Sequence, residues 1–232
     1  MLFILIILTW FVGSVAAYRS TAFIHEIVHQ RNKQDFLYFT TYWHLTSGVF
    51  ALLSEYEFTD HLKHHKPGVF GTKQDKQYPL IRSNILLAFG LFFLLPLLMP
   101  LQRLINSLFF FIKLLIGNCY SDKQNDLYSY RLAFTVTFLC FSLQYPNLFI
   151  IWYCLSVGGW YLSTLRVPLE HELKDYKSTT TILDQVIDSK DYKRSLFSFI
   201  IQPLGLNYHR LHHRFPGVPY HNLHSLALEE SN

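Results

Sequence analysis

The chain has 232 residues, half of them hydrophobic, with 17% aromatic, 16% charged and a formal charge of +4. So apolar a composition excludes an ordinary soluble domain, and the absence of any basic run interleaved with aromatics excludes nucleic acid as a partner. The three cysteines, Cys119, Cys140 and Cys154, are scattered, and two fall in apolar stretches. They read as small hydrophobic residues rather than a disulfide frame or a metal site.

Residues 1–18 carry no charge and come close to the roughly 20 apolar residues that a bilayer core demands, so this segment is expected to cross the membrane. It has no charged leading region, which argues against a secretory signal. Segment 36–53 holds Thr40, Thr41, His44, Thr46 and Ser47 and is expected to lie half-buried at the interface. Further apolar segments follow at 84–101, 104–117, 132–143 and 147–165. Two of these, 104–117 and 132–143, are short for a crossing. Each is therefore expected to be one arm of a helical hairpin, the first turning near Met99-Pro100 and the second near Tyr145-Pro146. Polar connections lie at 66–79, 118–130 and 172–195. Sixteen of the 20 Lys and Arg residues sit in 19–33, 61–82 and 166–214, which makes that face cytoplasmic by the positive-inside rule. The expected fold is an all-α integral membrane helical bundle, one domain over residues 1–232.

Eight of the 12 histidines fall in three groups: His25 and His29; His61, His64 and His65; His209, His212 and His213. Residues three and four apart share a helix face, so each group presents at least two imidazoles together. Neutral imidazole binds iron, zinc, copper or nickel. Eight imidazoles exceed the needs of one ion and suit two. If the groups meet on one side of the membrane, an even number of crossings separates residue 65 from residue 209. His44, His221 and His224 stand apart and are expected to be interface residues.

HxxxH, then HxxHH, then a long hydrophobic interval and a second HxxHH resembles the membrane fatty-acid desaturases and their hydroxylase and ketolase relatives. The stretch NYHRLHHRFPGVPYHNL, residues 207–223, is similar to the desaturase ending. The resemblance spans roughly residues 15–226. It implies that His25, His29, His61, His64, His65, His209, His212 and His213 ligate two iron ions. In the same comparison His171, at the end of the last apolar helix, takes the place of a ninth ligand. Glu26, Asp60 and Glu170 are expected to orient imidazoles, and Asn207 to hold a water or orient a ligand. The implied reaction uses O2 to remove hydrogen from a lipid acyl chain, because an unactivated methylene offers no acidic proton and no leaving group. Electrons are expected from a separate chain of ferredoxin or cytochrome b5 type, since no Fe-S cysteine motif, dinucleotide fingerprint or His-Pro-Gly-Gly is present. Hydroxylation of a lipid, carotenoid or alkane shares the same metal site and stays open.

Two other classes compete. His25-Glu26-Ile27-Val28-His29 matches the HExxH of zinc proteases, in which the glutamate is general base. That reading leaves both HxxHH groups without a role. A metal transporter would place histidines at membrane depth, whereas these groups flank the apolar segments.

Overall fold

A computed structural model describes residues 1–30, 34–77, 85–116, 135–172, 176 and 180–230. In chain order the helices are α1 (Leu2–Gln30), α2 (Leu37–Trp43), α3 (Val49–Ala51), α4 (Asp60–His64), α5 (Ile85–Leu115) and α6 (Thr135–Gln144). They are followed by α7 (Pro146–Glu170), α8 (Ile182–Asp188), α9 (Leu196–Ile201), α10 (His209–Arg214) and α11 (Tyr220–Glu229). Among the described residues there is no named strand, and the isolated bridges pair His171 with Ser189 and Asp191 with Tyr208. The protein is the all-α membrane bundle expected.

Among the described residues three helices are long and apolar enough to cross a membrane: Leu2–Gln30, Gly90–Phe109 within α5, and Pro146–Glu170. At 1.5 Å per residue α1 is roughly 43 Å long, whereas a bilayer core is about 30 Å thick. The helix therefore divides in two. Leu2 to Leu8 all turn apolar side chains outward, while Tyr18, Ala22, Ile24, Ile27 and Val28 are buried. The surplus length is enough to hold His25 and His29 beyond a hydrocarbon region that begins at the N-terminal end.

Helix α7 packs along α1. A Cβ at Gly158 would overlap the Ser14 side chain, so glycine is what allows the two backbones to approach. Trp10 donates to the Cys154 carbonyl at 3.0 Å. Tyr18 donates its hydroxyl to the Ile201 carbonyl at 2.6 Å, tying α1 to α9.

The hairpin expected at Met99-Pro100 is absent: α5 runs on through Pro96 and Pro100. A helix-interior proline removes one hydrogen bond and crowds the preceding turn, and inside a bilayer the freed carbonyls need other donors. Pro96 and Pro100 free the carbonyls four residues earlier, those of Phe92 and Pro96, and helix α7 donates to the carbonyl next to each. The Tyr161 hydroxyl donates to the Phe93 carbonyl at 2.8 Å and the Tyr153 hydroxyl to the Leu97 carbonyl at 2.9 Å, each acceptor lying three residues before a proline. The second hairpin is present. Helix α6 ends at Gln144, α7 starts at Pro146, and Phe138 of α6 packs on Trp152 of α7 with ring centroids 5.2 Å apart.

Segment 36–53 is a broken element: α2, a π-helical turn at His44–Gly48, and α3, closed by Leu52 at φ 53°. Its anchor is Trp43, buried and donating to the Ser20 carbonyl at 2.7 Å. His44 is buried as well. Segment 118–130 lies outside the described residues.

Candidate metal centre

The histidines converge from three helices and the end of a fourth. Helix α1 carries His25 and His29, α4 carries His61 and His64 with His65 at its C-cap, α10 carries His209, His212 and His213, and His171 follows α7. The candidate ligand nitrogens form two sets, each within 4.8 Å of one another: His25, His29, His61, His65 and His212; and His64, His171 and His213. In the first set every pair of rings has its centroids between 3.9 and 6.4 Å apart. His209 joins the second set through Nε2, which lies 3.0 Å from His171 Nε2 and 3.1 Å from His213 Nε2. The sets touch where His65 stacks on His213 at 4.3 Å.

The two HxxHH groups divide in opposite senses. In the first, His61 and His65 go to the five-histidine set and His64 to the other. In the second, His209 and His213 face the smaller set and His212 the larger. The cause is helical phase: positions i and i+4 project together, and i+3 projects to their side.

The nitrogen spacing fits metal ligation. His65 Nε2 lies 3.1 Å from His61 Nε2 and 3.2 Å from His212 Nε2. Metal–nitrogen bonds of about 2.1 Å meeting near a right angle put two ligand nitrogens about 3 Å apart. His29 Nε2 is buried with no hydrogen-bond partner among the described residues, a cost of about 1–3 kcal/mol that a bound cation would remove.

Partners on the far ring nitrogens aim the imidazoles. His64 Nδ1 donates to Asp75 Oδ2 at 2.7 Å, and Asp75 also accepts the Gly71 and Gln77 backbone N–H groups at 2.9 and 3.0 Å. Burial opposes a charge on Asp75, but the His64 bond and these N–H groups outweigh it and hold its carboxyl below the ordinary aspartate range. His61 Nδ1 donates to the Gln77 side-chain carbonyl at 2.8 Å. Helix α8 opens on a capping box in which Thr181 and Asp184 bond each other's backbone N–H. Three residues apart on that helix, Gln185 accepts from His213 Nδ1 at 3.3 Å and Asp188 from His171 Nδ1 at 3.1 Å. Phe70, fully buried, packs on His64, His171 and His213. Burying such a ring contributes about 1.5–3 kcal/mol.

The other expected site residues are placed as follows. Glu26 turns to α11, where its Oε2 accepts the Tyr220 backbone N–H at 3.0 Å, a carboxylate set against a helix N-terminus. That leads to Tyr220, whose hydroxyl is in hydrogen-bond contact with the His25 ring. A zinc protease would need the Glu26 carboxylate at a metal-bound water instead. Asp60 bonds Lys63 and Lys76, at 2.6 and 2.7 Å, on the surface. Glu170 lies 3.4 Å from Arg166 Nε and 3.7 Å from His209 Nδ1. Asn207 donates to the Tyr192 carbonyl at 2.8 Å and so fixes the approach to α10. His224 bonds the Tyr208 hydroxyl at 2.7 Å, away from both sets.

A family model described as fatty acid desaturase matches residues 2–231. The chain belongs to the fatty acid desaturase family. It is similar to a ceramide hydroxylase of Caulobacter vibrioides (strain NA1000 / CB15N), with 27% identity over 90% of this chain and 68% of that protein. No solved structure matches. As a member of the desaturase family the chain is an oxygen-dependent oxidoreductase.

Sequence reading missed Asp75, Gln77, Gln185 and Asp188, none of which belongs to a histidine motif. Tyr220 was in view as the last residue of the Phe-Pro-Gly-Val-Pro-Tyr ending, but its role was not. A cavity of about 140 Å³ among α1, α5 and α7 is lined by Phe50, Ala51, Leu53, Trp152, Trp160 and, at the metal centre, His25. A larger one, about 700 Å³, lies beside Arg19, Phe23, Arg194 and Tyr220. None of the clustered histidines lines it.

Burial and neighbouring histidines hold the imidazoles of His61, His65, His209, His212 and His213 well below their ordinary value of 6.5. They are therefore neutral, as metal ligation requires. With depressed folded values the unfolded chain binds more protons below about pH 6.5, so stability is fully present above that pH and falls as the pH drops through the window beneath it. The melting temperature of the metal-free protein is expected to fall steadily between about pH 7 and pH 5. A flat profile in a thermal melt would show the rings to be solvated.

Proposed function

We propose that the whole chain, as one catalytic domain, oxidises an acyl chain of a membrane lipid with O2, two iron ions and electrons from a separate donor of ferredoxin or cytochrome type. The observation that carries this is the division of nine histidines, all buried except the half-buried His29 and His65, into two adjoining sets. His25, His29, His61, His65 and His212 would hold one ion, and His64, His171, His209 and His213 the other. Iron so held supplies the activation of dioxygen that breaking an unactivated C–H bond requires. The basic stretches around the centre support a cytoplasmic placement.

The protein's own part is delivery and exclusion. The apolar cavity among α1, α5 and α7 supports a route by which an acyl chain leaves the bilayer and ends beside His25. Trp152 and Phe50, joined by a 2.8 Å bond from the Trp152 indole N–H to the Phe50 carbonyl, line that route. Gln77, Gln185, Asp75 and Asp188 keep the rings aimed, so that the methylene rather than water meets the oxidant.

Desaturation is the first reading, on the strength of the family and the Phe-Pro-Gly-Val-Pro-Tyr ending. Hydroxylation is the second, supported by the ceramide hydroxylase relative. Lipid mass spectrometry of cells expressing the chain tests both. Acyl chains lacking two hydrogens support the first, chains carrying one added oxygen the second, and an unchanged lipid profile in cells supplying reductant would defeat the proposal.

A further inference from the structure

We propose that the two metal positions are unequal, because among the described residues buried carboxylates back the histidines of only one of them, and that Asp75 and Asp188 make this position the tighter. The inference rests on the two-ion reading above. In the smaller set His64 donates to Asp75 and His171 to Asp188, and both acids are sealed at 1% and 0% exposure. A third carboxyl, Glu170, lies 3.7 Å from His209 Nδ1. The larger set has only neutral partners among the described residues: the Gln77 carbonyl on His61 and the Tyr220 hydroxyl on His25. His65 Nδ1 and His212 Nδ1 are buried with no hydrogen-bond partner among the described residues.

A carboxylate that accepts the far N–H of a ligating imidazole pushes electron density onto the metal-facing nitrogen and fixes the tautomer. It also brings a negative charge close to the ion in surroundings that screen it little. Neutral acceptors do the second of these not at all and the first weakly. Arg166 works against the effect near His209, but it is paired with Glu170 at 3.4 Å. Asp75 and Asp188 thus act as positioning residues through His64 and His171. The five-histidine position has more ligands but a weaker hold on charge, and it is the first to release its ion.

The test uses the full chain in lipid nanodiscs, loaded anaerobically with ferrous iron and challenged with a chelator. Iron release is followed by elemental analysis, and folding by circular dichroism. Two phases are expected, differing in rate by about 10- to 100-fold. A His25→Ala/His29→Ala protein should retain the slow phase and a His64→Ala protein the fast one. Asp75→Asn and Asp188→Asn, which keep shape and remove charge, should each accelerate the slow phase and leave the fast one unchanged. Asp75→Glu should restore part of the difference. Protein that binds two ions and releases them in one phase would overturn the inference, as would a slow phase surviving both asparagine variants. Uptake of fewer than two ions would overturn the two-ion reading and this inference with it.

Discussion

Replacing His64 or His213 by alanine is expected to lower bound iron from about two ions per chain to about one and to abolish lipid oxidation, since each ion needs its full set of neutral ligands. Both residues belong to the smaller set, which has few nitrogens to spare, and both are buried against Phe70. The five-histidine set loses no ring in either variant and should keep its ion. His224→Ala is the control: its partner is the Tyr208 hydroxyl, and both ions should remain. Elemental analysis beside product formation separates the outcomes. Retention of both ions in His64→Ala would mean that the two sets do not correspond to two ions. A single zinc, unaffected in either variant, would return the HExxH reading to consideration.

What could be read from the sequence and what could not divide along one physical line. Spacing within a helix is local, so the three histidine groups and the long apolar segments were legible without any knowledge of the fold. Helical phase splits each HxxHH group locally, but which of the two sets each part faces is not local. His61, His64 and His65 lie on adjacent turns, yet His64 faces the opposite set because its direction counts only relative to α8 and α10. The partners that aim the rings are equally hidden. Asp75 is 11 residues from His64 and Asp188 is 17 from His171, with ordinary polar stretches between. Glu26 looked like a partner for imidazole because it sits between two histidines in sequence, but its direction on α1 takes it to the start of α11. Pro100 misled for a related reason. A proline need not end a helix whose affected turn is held by a neighbouring helix, and here Tyr153 and Tyr161 of α7 donate to carbonyls in the two turns before Pro100 and Pro96.

Adding bulk to the cavity among α1, α5 and α7 is expected to stop the reaction while leaving the metal centre intact. Ala51 and Ser163 both line that cavity and neither belongs to a histidine set. A phenyl ring at either position fills space that an acyl chain would occupy beside His25. Ala51→Phe and Ser163→Phe should each lower the rate of lipid oxidation by about 100-fold, the cost of displacing a reacting carbon by about 1 Å. Iron content should not change. Overpacking itself costs about 1–3 kcal/mol, so a thermal melt must accompany the assay, and a variant that keeps both its iron and its melting temperature is the informative one. The pairing distinguishes delivery from chemistry: a ligand variant loses iron and activity together, whereas a cavity variant loses activity alone. Undiminished oxidation in both cavity variants would mean that the substrate reaches the centre by another path. The larger cavity beside Tyr220 would then be the next to block, because its wall touches His25 through the Tyr220 hydroxyl.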